Sequence, residues 1–140
     1  MNDLALSPPF GASHLLVQTE VSSRDDWADT KVILEQGTRY FFRATGKWWD
    51  AYIRCDANGY SRWYTNFAKD HLRCRKDGAT WFTLIGAIEA SNNSLFVIGD
   101  GSRWRDGWVA TMKGRLTVFA NDMPGMYWNN ISSISLEVWR

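Results

Sequence analysis

The stretch Ser133-Ile134-Ser135-Leu136-Glu137-Val138 alternates apolar and polar residues at every step. Successive side chains of an extended strand point to opposite faces, so this segment reads as a β-strand with one buried face and one wet face. Working back along the chain, residues 115–120, 108–112, 94–98 and 81–88 carry the same enrichment in Val, Ile, Phe, Thr and Trp. Residues 38–44, 31–35 and 14–20 continue it, broken by Gln36-Gly37 and Gly46. No segment sustains an apolar 3.6-residue period over three turns, and Gly or Asn punctuation arrives about every ten residues, as two-layer all-β folds require. The expected fold is therefore all-β, a jelly-roll β-sandwich. Residues 50–78 form the longest interval without a strand pattern, and a loop of that length in a compact domain is usually functional or mobile.

At 140 residues the chain fits one domain. A chain of that size buries roughly two thirds of the surface exposed when unfolded, so it needs neither a disulfide nor a metal merely to fold. Ser7-Pro8-Pro9 and Gly11 discourage regular structure, so residues 1–12 are expected to be a flexible leader and residues 13–140 a single β-sandwich. The leader has no basic start and no apolar run of signal-peptide length, and no later segment approaches a membrane span. Synthesis in the cytoplasm is expected, and extracellular release, by a route the sequence does not show, is left open. A formal net charge of +1, from 16 basic and 15 acidic residues scattered along the chain, argues against nucleic acid as a partner. Nine tryptophans, five tyrosines and seven phenylalanines exceed what a core of this size requires. Part of that aromatic surface is expected to line a recognition face, the rest filling the core. Cys55 and Cys74 lack CxxC spacing and a paired histidine motif, which speaks against zinc and thiol catalysis; two free thiols are expected, although a disulfide would suit an exported protein.

Chemistry concentrates in Asn121-Asp122-Met123-Pro124-Gly125-Met126-Tyr127-Trp128-Asn129-Asn130. Calcium accepts carboxylate, carboxamide and backbone carbonyl oxygens, and a Pro-Gly turn between two strands can fold Asp122 back toward Asn129 and Asn130. One carboxylate with two neutral amides makes a weak site, which suits a ligand that completes the shell. The alternative is that these residues serve only as turn formers, since Asn and Asp side chains bond to nearby backbone and tolerate unusual dihedrals.

The order Leu84-Ile85-Gly86-Ala87-Ile88, Phe96-Val97-Ile98-Gly99, Gly114-Arg115-Leu116-Thr117-Val118, then Asn121-Asp122-x-Pro124-Gly125-x-Tyr127-x-Asn129-Asn130 and the closing strand resembles the LecA-type (PA-I-like) calcium-dependent galactose-binding lectins. The resemblance covers about the C-terminal 60 residues and extends loosely to Ala44-Thr45-Gly46-Lys47-Trp48. It implies a galactose-binding-domain-like jelly roll, with Ca2+ shared between protein oxygens and sugar hydroxyls. By position it implies Asp122, Asn129 and Asn130 as side-chain ligands, and Met126 through its backbone carbonyl where a threonine is usual. A second carbonyl would come from near Asp50 or Ala51; Ala51 is the nominal choice, its register left open. Asp122 and Asn129 would also face the sugar, a galactoside-like glycan among the ligands implied. Two departures stand out. The long loop reads Asn58-Gly59-Tyr60-Ser61-Arg62-Trp63-Tyr64, without the polar and histidine contacts of the galactose binders, and Trp128 replaces a small residue. Trp63, Tyr64 and Trp128 are candidates to stack on a sugar face; Trp128 would equally block the approach to the metal.

The resulting expectation is a calcium-dependent carbohydrate-binding protein, not an enzyme, whose modest affinity per site would gain from homo-oligomerisation. The alternative is a calcium-stabilised structural or protein-interaction module that has lost sugar binding. Asp25-Asp26, and Asp100 with Asp106, could be imagined as the paired acids of a glycoside hydrolase, but adjacent acids on an extended segment point apart, so Asp25-Asp26 reads as a solvated turn and catalysis is not expected. His14 and His71 accompany no nucleophile motif. Arg103-Trp104-Arg105-Asp106-Gly107-Trp108 is expected to stack internally by cation–π contact.

Overall fold

A computed structural model describes residues 6–140. Residues 1–5 of the expected leader lie outside the described residues. Residues 6–12 form no regular element beyond a turn at Phe10-Gly11, and Arg43 donates to the Ser7 carbonyl at 2.7 Å.

Eleven strands are found among the described residues: β1 (Leu15–Ser22), β2 (Ala28–Leu34), β3 (Arg39–Thr45), β4 (Trp48–Asp50), β5 (Ile53–Cys55), β6 (Leu84–Ile88), β7 (Phe96–Val97), β8 (Trp108–Val109), β9 (Gly114–Ala120), β10 (Asn130–Ile131) and β11 (Ser133–Trp139). The single α-helical turn among these residues is α1 (Trp63–Asn66). One sheet has the order β1-β11-β3-β8 and the facing sheet β2-β9-β6-β7, and their pairings are antiparallel. β1, β2, β3 and β6 alternate between the two sheets, and β9 and β11 return to pair beside the earliest strands. That interleaving is the double Greek key of a jelly roll.

The two inner faces close on a core of Leu34, Tyr40, Phe42, Trp48, Phe82, Leu84, Ile98, Leu116, Val118, Ile134, Leu136 and Val138. Phe96 stacks on Trp108 with ring centroids 4.0 Å apart, and Phe42 tilts against both. Many of the aromatics are thus core. The alternation of β11 holds on the inner face, where Ile134, Leu136 and Val138 are buried, but its outer face is not all wet. Glu137 is only 5% exposed: β11 lies between β1 and β3, Arg43 reaches across from β3 to Glu137 at 3.1 Å, and the Trp139 indole donates to the same carboxylate at 2.8 Å.

Residues 50–78 also depart from expectation. They contain β5, α1 and a 3-10 turn at Lys69–His71, and β5 pairs with β4, itself paired to β10, in a third sheet of order β10-β4-β5. Strands of two or three residues are too short to show a period of two. The strand expected over residues 81–88 begins only at Leu84; Trp81 instead forms an isolated bridge with Tyr60, and Phe82 takes a left-handed φ of 63°. This small sheet brings the 46–60 segment beside the chain following β9.

Candidate cation-binding site

Asn121 and Asp122 follow directly on β9, and the chain then reverses through Met123-Pro124-Gly125-Met126. The Met126 N–H donates to the Met123 carbonyl at 3.1 Å, while Gly125 takes a φ of +81°. Pro at the second turn position and a left-handed Gly at the third are what a type II turn demands. A 3-10 turn, Tyr127–Asn129, then delivers the chain to β10. Three anchors fix this path. The Asn121 carboxamide accepts from the Cys74 N–H at 2.9 Å and donates to the carbonyls of Cys74 and Thr80. The Tyr127 hydroxyl donates to the Ala120 carbonyl at 2.6 Å. Arg73 donates its own N–H to the Asp122 carbonyl, and its guanidinium donates to the Tyr127 oxygen at 2.7 Å while lying over the Phe119 ring.

With the backbone so held, three side-chain oxygens are buried with no hydrogen-bond partner among the described residues: Asp122 Oδ2, Asn129 Oδ1 and Asn130 Oδ1. Asp122 is 2% exposed and Asn130 0%. The orientation of the Asn130 amide is fixed, because its Nδ2 donates to the Ser23 carbonyl at 2.8 Å, leaving the oxygen for the other side. Asp122 Oδ1 is satisfied by the Met123 N–H at 2.7 Å, and the other oxygen is not. A buried acceptor without a donor costs about 1–3 kcal/mol, more when charged. Among the described residues the ion pairs involve Asp29, Glu35 and Glu137, and none reaches Asp122.

Burial pushes the Asp122 carboxyl up to about 6, against the lowering effect of the Met123 N–H; the charge of Asp50 raises it further, and Asn130 and Arg73 oppose. Asp50 belongs to the same cluster. It ends β4 as the cross-strand partner of Asn130 on β10, and its Oδ2 accepts from the Tyr60 hydroxyl at 2.5 Å. Burial raises its carboxyl too, with the Tyr60 hydrogen bond acting in the opposite sense. Three acceptor oxygens lacking donors are the complement of a cation, and carboxylate with carboxamide is the donor set of a hard one such as calcium. Among the described residues no group of three or more His, Cys, Asp or Glu comes together that could hold a metal ion; the donors here are largely amides.

The remaining expected site residues are distributed as follows. Met126 is half-buried immediately before the Tyr127–Asn129 turn. Ala51 follows Asp50 at the tip of the β4–β5 hairpin, in a left-handed conformation of φ 53°. Trp128 is 68% exposed beside Asn129. Trp63 and Tyr64 are exposed on α1 and pack edge-on against each other, with centroids 5.6 Å apart. The aromatic that reaches the oxygen cluster is Tyr60, which residue type and spacing did not single out. Residue pattern points to Asp50 only as the bearer of a nearby carbonyl and gives no sign of Arg73. Cys55 and Cys74 are free and buried, and burial, helped by Asp56 and Asp50, pushes the Cys55 thiol up to about 12. Asp100 accepts from Ser102 in a local turn, Arg103 lies against Trp104, and His14 and His71 are exposed.

No protein-family model matches the chain, and no curated protein matches it in sequence. Among solved structures, the chain is similar to a domain described as the EclA N-terminal domain, a PllA-like lectin, with a TM-score of 0.65 at 18% identity, covering 91% of this chain and 98% of that one. At that identity the likeness is one of fold: an all-β sandwich shared with a lectin domain.

Proposed function

We propose that the protein is a calcium-dependent carbohydrate-binding protein. The observation that carries this reading is that Asp122 Oδ2, Asn129 Oδ1 and Asn130 Oδ1 are all buried and lacking donors within the short 122–130 segment of a lectin-like sandwich. A bound Ca2+ supplies the missing positive charge and coordination positions that the vicinal hydroxyls of a sugar can share. The chain's own residues do the rest. Asn121, Tyr127 and Arg73 hold the turn rigid, so the oxygens are presented without reorganisation. Asp122 and Asn129 would face both ion and sugar, with Met126 and Ala51 offering carbonyls. Trp128 stands exposed at the rim, where an indole plane can cover the apolar face of a pyranose; Trp63 and Tyr64 form a separate aromatic pair on α1, available to a longer glycan. A galactoside is the first ligand to try, and assembly into homo-oligomers would raise the avidity of a weak single site. We read it as a binding protein and not an enzyme.

A second reading, a calcium-stabilised protein-interaction module, is favoured by one observation: Trp128 and Ile131 are both exposed close together in the chain, beside the same site. A glycan array probed with calcium and again with chelator separates the two. Calcium-dependent binding to a defined glycan supports the lectin; calcium uptake with no calcium-dependent glycan signal leaves only the interaction module.

A further inference from the structure

The orphaned oxygens include one from a carboxylate, Asp122, and the fold brings a second acid, Asp50, against them. Asp50 and Asn130 are directly opposed across β4 and β10, and Asn130 presents one of the orphaned oxygens. Among the described residues no ion pair reaches Asp50 or Asp122. Among the described residues the one hydrogen bond to the Asp50 side chain comes from Tyr60, a neutral donor that brings no positive charge to the carboxylate.

Tyr60 is itself fixed from several directions. Its N–H donates to the Trp81 carbonyl at 2.8 Å, its carbonyl accepts from Thr80 Oγ1 at 2.7 Å, and its ring stacks on Trp81 at 18° between planes. Gly59, just before it, is pressed so close to the 81–83 backbone that a Cβ there would lie 2.6 Å from the Thr83 nitrogen. The phenol is a rigid post aimed at Asp50. Two like charges facing one partly buried cluster repel, and a bound cation would offset them where otherwise one of the acids must hold its proton.

Resting on the calcium reading above, we infer that Asp50 supplies a second carboxylate to the cation site through its side chain, and that Tyr60 is the positioning residue that holds it there. The site then carries two negative charges instead of one, and cation affinity rises with the charge of the ligand set. The preference also shifts toward more highly charged hard cations.

The test is titration of calcium chloride, and separately of terbium chloride, into the chelator-treated full chain and its Asp50→Asn, Tyr60→Phe and Asp122→Asn variants by calorimetry. Asp50→Asn is expected to weaken calcium about tenfold or more, and terbium by a larger factor, because the trivalent ion feels the lost charge more. Tyr60→Phe keeps the charge and removes only the hydrogen bond that positions it, so it should weaken calcium by about tenfold and terbium by no more than calcium. Melting without cation gives an independent readout: a purely structural Asp50 predicts a lower midpoint for Asp50→Asn, whereas relief of like-charge repulsion predicts one unchanged or higher. Should Asp50→Asn fold poorly, Asp50→Ser tests the same loss. If Asp122→Asn abolishes calcium uptake while Asp50→Asn and Asp50→Ser stay within about twofold of the native protein for both ions, the second carboxylate is refuted and the calcium reading stands. If the native chain takes up no calcium, both fall.

Discussion

Two buried acids in this sandwich have opposite fates. Glu137, on the outer face of β11, is met by the Arg43 guanidinium and the Trp139 indole, and the Arg43 side chain is held in turn by the Ser7 carbonyl. Asp122, at the end of β9, is more deeply buried, yet one of its oxygens has nothing to accept from, and its neighbours Asn129 and Asn130 add two more oxygens in the same condition. Burial of a charge is tolerated where the protein supplies a partner. Glu137 shows that this chain can do so with its own residues. At Asp122 it supplies further acceptors instead, and on the reading proposed above the partner is a cation from outside.

The largest effect should come from breaking the site on the orphaned side. Asp122→Ala is expected to abolish calcium binding, weakening it by about a hundredfold or more in calorimetry; the cation-free fold should survive, since the change also removes an unsatisfied buried oxygen. Unchanged binding would mean the site has been misplaced.

Next in size is a pH dependence of opposite sense to an ordinary salt-bridged acid. Asp122 takes up its proton near 6 in the folded chain and near 4 when unfolded. Between those values the native state holds the extra proton. The stability of the cation-free protein should therefore fall as pH rises from about 4 through 6, by up to about 3 kcal/mol at full ionisation. Asp50, raised as well, acts in the same direction; the Arg73 charge opposes it. Urea denaturation in chelator across that range measures the slope. With excess calcium the loss should vanish above pH 6, because the bound form requires the ionised carboxylates.

Glu137→Gln sharpens the comparison from the satisfied side. It leaves Arg43 without its ion-pair partner and should lower stability by about 1–2 kcal/mol by chemical denaturation, with calcium affinity unchanged. Trp128→Ala should matter least to the fold, within about 0.5 kcal/mol, and leave calcium alone. Its effect belongs to the glycan: loss of array signal would mark the indole as a stacking plane, and a gain would mark it as an obstruction.

Much of the fold is legible in the sequence, because the longer strands bury one face and show it as alternation; Ile134, Leu136 and Val138 are the plainest case. The burial of Glu137 is not legible, since it depends on which strands flank β11 and on Arg43 reaching across from β3. β4, β5 and β10 are too short for a pattern, so the third sheet, which joins Asp50 to Asn130, is hidden. The oxygen donors of the 122–130 turn are readable because they lie within one local segment whose Pro-Gly turn announces the reversal. Tyr60 and Arg73 are not, as both reach the site from a loop whose route is set by tertiary contacts with Trp81, Phe119 and Tyr127.

A crystal of the protein soaked in calcium chloride and a galactoside would show whether the three orphaned oxygens take up a cation that also binds sugar. An ion is expected about 2.3–2.6 Å from Asp122 Oδ2, Asn129 Oδ1 and Asn130 Oδ1, with sugar hydroxyls on its open side. An ion-free turn at saturating calcium, with those oxygens accepting from protein donors or water, would contradict it.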